Sequence, residues 1–278
     1  MPVVTLSWEL GSEGDRIGYT LAEQWGGRCV DGALLFDTAR QYDVPDVRPS
    51  APELAERAPN FWERLNEERR RYNVLLRAVI YRFAAEGNSV ILGYGGAMLL
   101  REVRHVVKAR TIAPRDLRIE RVMAAESRAD ALTREQAEDV IRRADRDRAR
   151  HIRYMFNVDW ADPMPYDLLL NTRAMSAASG AAVLADLVAR PEFQPTPESQ
   201  GILDDLALGS HVEAVLMHDP NVWVENLRVV AHGGEVTLSG QVLADEDREV
   251  AEDAAQRIAG VRAVRNEVAV QPPPLAGM

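Results

Sequence analysis

The sequence predicts an α/β fold built on a parallel sheet, followed by a smaller α+β unit. Three observations carry this expectation. Through the first 190 residues, short apolar runs rich in β-branched residues alternate with segments of helical periodicity, the order of a parallel sheet covered on both faces. A proline-rich segment, 191–198 (PEFQPTPE), interrupts that rhythm as a linker would. Beyond it come one helix, two short alternating strands, a second helix and a last strand.

Taken in order, Pro2 to Ser7 (PVVTLS) reads as a buried strand. It runs into Gly11-Ser12-Glu13-Gly14, then into a helix with Ile17, Leu21, Ala22 and Trp25 on one face, closed by Gly26-Gly27. Residues 43–60, rich in proline and polar groups, read as a loop with a short helical piece. A long helix follows from Phe61 to Glu86, with Leu65, Tyr72, Leu76, Val79, Ile80 and Phe83 on one face and Gly87-Asn88 as its stop. Val90 to Gly93 is the second strand and His105 to Ile112 the third. Two basic helices, from Pro114 to about Ala129 and from Thr133 to about Phe156, precede a fourth strand, Tyr166 to Leu170, and a closing helix, Ser176 to Ala189. The smaller unit reads as helix 202–217, strands 223–230 and 235–242 around Gly233-Gly234, helix 245–258 and strand 264–270. The expected domains are therefore 1–190 and 199–271, with 191–198 between them and a flexible tail at 272–278.

Composition narrows the function. No apolar run reaches the length of a membrane-spanning helix, and the first residues carry no basic stretch, so neither an anchor nor a signal peptide is expected. Cys29 is the single cysteine, which excludes an internal disulfide and a cysteine-rich zinc site and suits a reducing cytoplasm. The net charge of −10 argues against nucleic acid as a partner. From Ser199 to Gln271 there are thirteen Asp or Glu against five Arg, so this stretch alone carries −8, which disfavours anionic membrane. The five histidines (His105, His151, His211, His218, His232) show no metal-ligand spacing, and no metal site is expected. Trp8, Trp25, Trp62 and Trp160 read as packing residues. A homodimer is expected from the frequency of symmetric oligomers. The basic residues comprise thirty-two arginines and one lysine, Lys108.

The segments VVTLSWELGSEG…LAEQWGG, GNSVILGYGGAMLL, RTIAPRDLRIERVM, LTREQAEDVIRRADRDRARHIRYMFNVDWADP and YDLLLNT together resemble the cytidylate kinase-like family, a branch of the P-loop nucleoside monophosphate kinases. The stretch GGEVTLSGQVLADEDREVAEDAAQRIAGVRAVRNEVAV resembles a BON domain, a binding module. The first resemblance implies a P-loop nucleoside-monophosphate-kinase-like sheet, nucleotide binding, ATP and Mg2+ as cofactors, and phosphoryl transfer to CMP or dCMP in active members. It also implies that Gly14 stands where the catalytic lysine belongs and Arg16 where the magnesium-binding Ser or Thr belongs. Arginines found in relatives are replaced by Trp8, Asp15 and Tyr94. The loop carries Glu9, Glu13 and Asp15 where phosphate would sit, and a like-charge pair about 4 Å apart costs about 4 kcal/mol at an effective dielectric of 20.

Matched to the family, Gly11, Ser12, Gly14, Arg118, Arg121, Asp145 and Asn171 are the expected nucleotide-binding residues. Arg16, Arg142, Arg146 and Arg148 are the expected carriers of catalytic charge, because guanidinium forks suit phosphate oxygens. The competing reading of Arg142 to Arg153 is a solvated helix face laced with i,i+4 pairs. Two functions follow. One is a regulator that binds a nucleotide or small phosphorylated ligand on a degenerate loop and couples it to the BON module. The other is an atypical (d)CMP kinase in which arginines replace the lysine.

Overall fold

The computed structural model describes residues 2–39, 67–125 and 132–271. The expected loop at 43–60, the start of the long helix with Trp62, the end of the first basic helix and the tail at 272–278 lie outside them.

The element order is β1 (Val3–Trp8), α1 (Gly14–Trp25), β2 (Arg28–Val30), α2 (Gly32–Ala39), α3 (Glu67–Glu86), β3 (Ser89–Leu92), α4 (Gly96–Leu99), β4 (Val106–Ile112), α5 (Arg115–Ala125), α6 (Arg134–Phe156), β5 (Leu168–Asn171), α7 (Ala177–Val188), α8 (Pro197–His218), β6 (Glu225–His232), β7 (Glu235–Val242), α9 (Asp245–Gln256) and β8 (Ala263–Val270). Strands β1 to β5 form one sheet in the order β2-β3-β1-β4-β5, and every pairing in it is parallel. The predicted α/β class is thus realised. Three short elements escaped the sequence reading: the three-residue β2, α2 and the single-turn α4.

By contacts the chain divides into two units. Of the described residues, 2–34, 86–125 and 132–196 form one, and 35–39, 67–85 and 197–271 form the other. Most of α3 therefore packs with the C-terminal elements. There Arg77 donates to Glu213 of α8 at 2.7 Å and Arg70 to the Leu227 carbonyl of β6 at 2.9 Å.

The core of the first unit is built from Val4, Leu6, Val90, Leu92, Val107 and Ala109 of the sheet against Ile17 and Leu21 of α1 and Leu184 of α7. Burying such side chains contributes about 1.5–3 kcal/mol each. Helix α1 stops where Gly26 adopts φ 59°, a left-handed C-cap. Helix α6 starts at a full capping box, in which Thr133 accepts from the Gln136 amide and the Gln136 side chain accepts from the Thr133 amide. The second unit is a three-stranded sheet in the order β6-β7-β8, with β6–β7 antiparallel and β7–β8 parallel. Its core joins Val212 and Leu216 of α8, Leu227, Val236 and Leu238 of the sheet and Ala251 and Ala255 of α9. At the bulge in β6, Gly240 (φ +152°) leaves room for the facing backbone, since a Cβ there would lie 2.8 Å from the Glu225 carbonyl oxygen.

Candidate functional site

In a parallel sheet the loops that leave the carboxyl ends of the strands are where ligands gather. Two such loops define the site: Glu9–Glu13 after β1, and Gly93–Gly95 after β3.

The first loop is tied down by the chain's own groups. The Glu9 amide donates to the Thr111 carbonyl (3.1 Å), the Ser12 amide to the Glu9 carbonyl (2.9 Å) and the Leu10 amide to a carboxylate oxygen of Asp145 on α6 (3.3 Å). Ser12 is fully buried, its hydroxyl 2.8 Å from that of Thr111. Thr172 was not expected as a site residue; its hydroxyl donates to the Ser12 carbonyl (3.0 Å) and accepts from Arg121 (2.9 Å).

Two loop glycines mark close approaches. A Cβ on Gly11 (φ +82°) would lie 2.7 Å from the Arg118 carbonyl oxygen. A Cβ on Gly14 would lie 2.3 Å from the Trp8 Cβ and 2.6 Å from the Thr111 hydroxyl, so this position has no room for a side chain.

The loop carboxylates do not stand unpaired. Glu9 meets Arg110 of β4 at 3.5 Å and Arg118 of α5 at 3.2 Å. Arg118, itself buried, also pairs with Asp145 and donates to the Leu10 carbonyl (2.7 Å). Glu13 pairs with Arg16 (2.6 Å) and Arg121 (3.5 Å). Arg16, Arg118 and Arg121, three of the expected site arginines, thus each pair with a carboxylate of the fold.

Of the expected catalytic arginines, Arg16 meets the loop at Glu13 and Arg148 meets the end of β1. Arg148 donates to the Trp8 carbonyl (2.6 Å) and lies over the rings of Trp8 (4.6 Å) and Trp160 (5.7 Å). Arg16 is 70% exposed at the side chain, and Arg142 and Arg146 are exposed, paired with Asp139 (2.6 Å) and Asp147 (3.7 Å). On a 3.6-residue helix, Arg142 and Arg146 fall on the side opposite Arg148. Asn171 is exposed at the end of β5, where its side chain accepts from the Arg173 amide (3.0 Å).

The second loop is open. Gly93, Tyr94 and Gly95 all adopt left-handed conformations (φ 71°, 51° and 72°), and with β1, α4, α6 and the segment around Trp160 they line a small cleft. Tyr94, Trp160 and Tyr166 supply aromatic walls, and Arg148 and His151 project from α6. Trp160 is held in place: its indole N–H donates to the Ser7 hydroxyl (2.8 Å) and its ring lies under Arg110 (4.2 Å). Burial pushes the Tyr166 phenol upward. Thr5, only 1% exposed, lines this cleft, and its hydroxyl has no hydrogen-bond partner among the described residues. None of these residues except Arg148 was singled out by sequence as functional. Their signal exists only in three dimensions, because Thr5 and Trp160 look like ordinary strand and packing residues.

The remaining reactive groups are structural. Lys108, the single lysine, is buried in β4 with its ammonium donating to the Val103 carbonyl (2.9 Å), and burial lowers its pKa. Burial pushes the Cys29 thiol up to about 12, which makes it a poor nucleophile. Among the described residues no three His, Cys, Asp or Glu side chains converge to hold a metal ion. No helix among them is long and apolar enough to cross a membrane.

A family model described as the cytidylate kinase-like family matches residues 3–174, and one for the BON domain matches 204–272. No curated protein matches the chain. Among solved structures, an uncharacterised protein from Eubacterium ventriosum superposes with a TM-score of 0.53 at 17% identity, over 67% of this chain and 97% of its own. Shikimate kinases from Bacteroides thetaiotaomicron (15% identity, TM-score 0.41, 68% and 99% coverage) and Acinetobacter baumannii (16%, 0.40, 68% and 93%) also match.

Proposed function

The chain belongs to the cytidylate kinase-like family, and from that premise we propose that it is a kinase-derived regulator. It binds a nucleotide or small phosphorylated ligand without transferring phosphate, and its BON module takes part in the response. The observation that carries this reading is the state of the loop after β1. ATP needs that loop's amides as donors and a lysine at its phosphates. Three of the amides already have acceptors within the chain, and position 14 has no space for any side chain. The loop as folded does not fit a triphosphate. A ligand would sit in the cleft at Gly93–Gly95 instead, with its planar part against Trp160 or Tyr94 and a polar group on the Thr5 hydroxyl.

The module's involvement is supported by α3, which lies inside the span matched to the kinase-like family yet packs with the C-terminal unit. The atypical (d)CMP kinase is the second reading. It is favoured by Arg148, which touches the first loop and lines the cleft.

Thermal-shift measurements with ATP, GTP, CMP, dCMP and AMP, with and without magnesium, test the proposal. A shift with a monophosphate that Thr5→Val removes, and none that depends on a triphosphate, is the expected result. Stabilisation that requires ATP and magnesium together would refute it.

A further inference from the structure

Helix α6 has two unlike faces. Asp145, Arg148 and Ile152 face inward, whereas Arg142, Arg143, Arg146, Arg150 and Arg153 line the outer face and are exposed. Arg143, Arg146 and Arg150 follow an i, i+3, i+7 spacing, which places them in one row about 10 Å long. Arg143 and Arg150 have no ion-pair or hydrogen-bond partner among the described residues, and Arg146 meets its neighbour Asp147 only at 3.7 Å.

Helix α9 carries the mirror image. Ala251 and Ala255 face the core of their unit, and Glu246, Glu249 and Asp253 form an exposed outer row with the same i, i+3, i+7 spacing. The carboxylates of Glu246, Glu249 and Asp253 likewise have no partner among the described residues. Exposed apolar side chains flank both rows: Val140 and Tyr154 on α6, Val250 on α9.

We propose that the arginine row of α6 in one copy of this chain docks on the acidic row of α9 in a second copy. Two rows of equal spacing and opposite charge, with only Arg146 paired within its own helix, can place three guanidinium–carboxylate pairs in register. The flanking valines and Tyr154 add apolar contact. The alternative occupant of the arginine row, a polyanion such as nucleic acid, suits a chain of net charge −10 poorly. Exposed ion pairs are individually weak and screened by salt, so the association is reversible and salt-dependent.

Sedimentation velocity of the full-length protein tests this across a concentration series, at about 0.01 M salt, where charges act over about 30 Å, and at about 1 M, where they act over about 3 Å. The wild type should associate at low salt and dissociate at high salt. Arg143→Glu with Arg150→Glu, or Glu249→Arg with Asp253→Arg, should each weaken association about ten-fold or more. An equimolar mixture of the two swapped proteins should associate again. The swapped residues are exposed and unpaired, and circular dichroism checks that both variants fold. A wild type that stays monomeric at low salt, or an association unchanged in both swaps, overturns the proposal. So does a swapped pair that fails to associate when mixed.

Discussion

The loops after β1 and β3 leave neighbouring strands of one sheet and each enters a helix, yet they handle polar groups in opposite ways. In Glu9–Glu13, three amides, the carbonyls and both carboxylates are matched within the chain, largely through Thr111, Asp145, Thr172, Arg118 and Arg121. Around Gly93–Gly95, a small cleft remains and the buried Thr5 hydroxyl has no partner among the described residues. A fully satisfied network rigidifies, whereas an orphaned polar group in a cleft costs stability unless a ligand meets it. The comparison teaches how two loops of one sheet can differ in what they leave unpaired, and the proposed function rests on that difference: scaffold for the first loop, binding for its neighbour.

The largest expected effect comes from unlocking the first loop. Arg118→Met leaves Glu9 and Asp145 facing each other without their shared cation, and should lower stability by about 3–5 kcal/mol in denaturant titrations. A loss well below 1 kcal/mol would mean that the network does not hold the loop. Next, Gly14→Ala drives a methyl group into Trp8 and should cost about 2 kcal/mol; a neutral outcome would show that the loop can move aside for a side chain. At the second loop the sign reverses. Thr5→Val removes the orphaned hydroxyl and should stabilise the ligand-free protein by about 1 kcal/mol while reducing any ligand-induced shift. Destabilisation instead would mean that the hydroxyl serves the fold.

A smaller effect tests whether incomplete pairing is confined to the cleft. In the second unit, burial raises the pKa of Glu213, and its pairing with Arg77 offsets this only in part. A carboxyl whose folded pKa lies above its unfolded value contributes stability at low pH that is lost as pH rises through the folded pKa. Glu213→Gln should therefore melt about 2 °C above the wild type near pH 8, with the difference vanishing toward pH 4. A difference that grows on acidification would contradict the assignment.

Much of this architecture is legible in the sequence, and the gaps have physical causes. The β-branched runs of β1, β3 and β4 and the capped helix from Thr133 stand out locally. Arg28–Val30 is too short to show a period, and Gly96–Leu99 is a single turn. The missing lysine at position 14 is plain from the family pattern, and the lack of space there gives it a structural reason. Glu9 and Glu13 read as repulsive from sequence because Arg110, Arg118 and Arg121 lie about a hundred residues away and reach them only through β4 and α5. Likewise, Arg142 and Arg146 share a helix with Arg148, but helical rotation sends them outward.

The most direct test of the central claim is a coupled ADP-release assay on the intact protein with saturating ATP, CMP or dCMP, and magnesium. The account predicts no release above the protein-free background. Magnesium-dependent ADP formation that Arg148→Ala abolishes would contradict it and restore the reading of an arginine-dependent kinase.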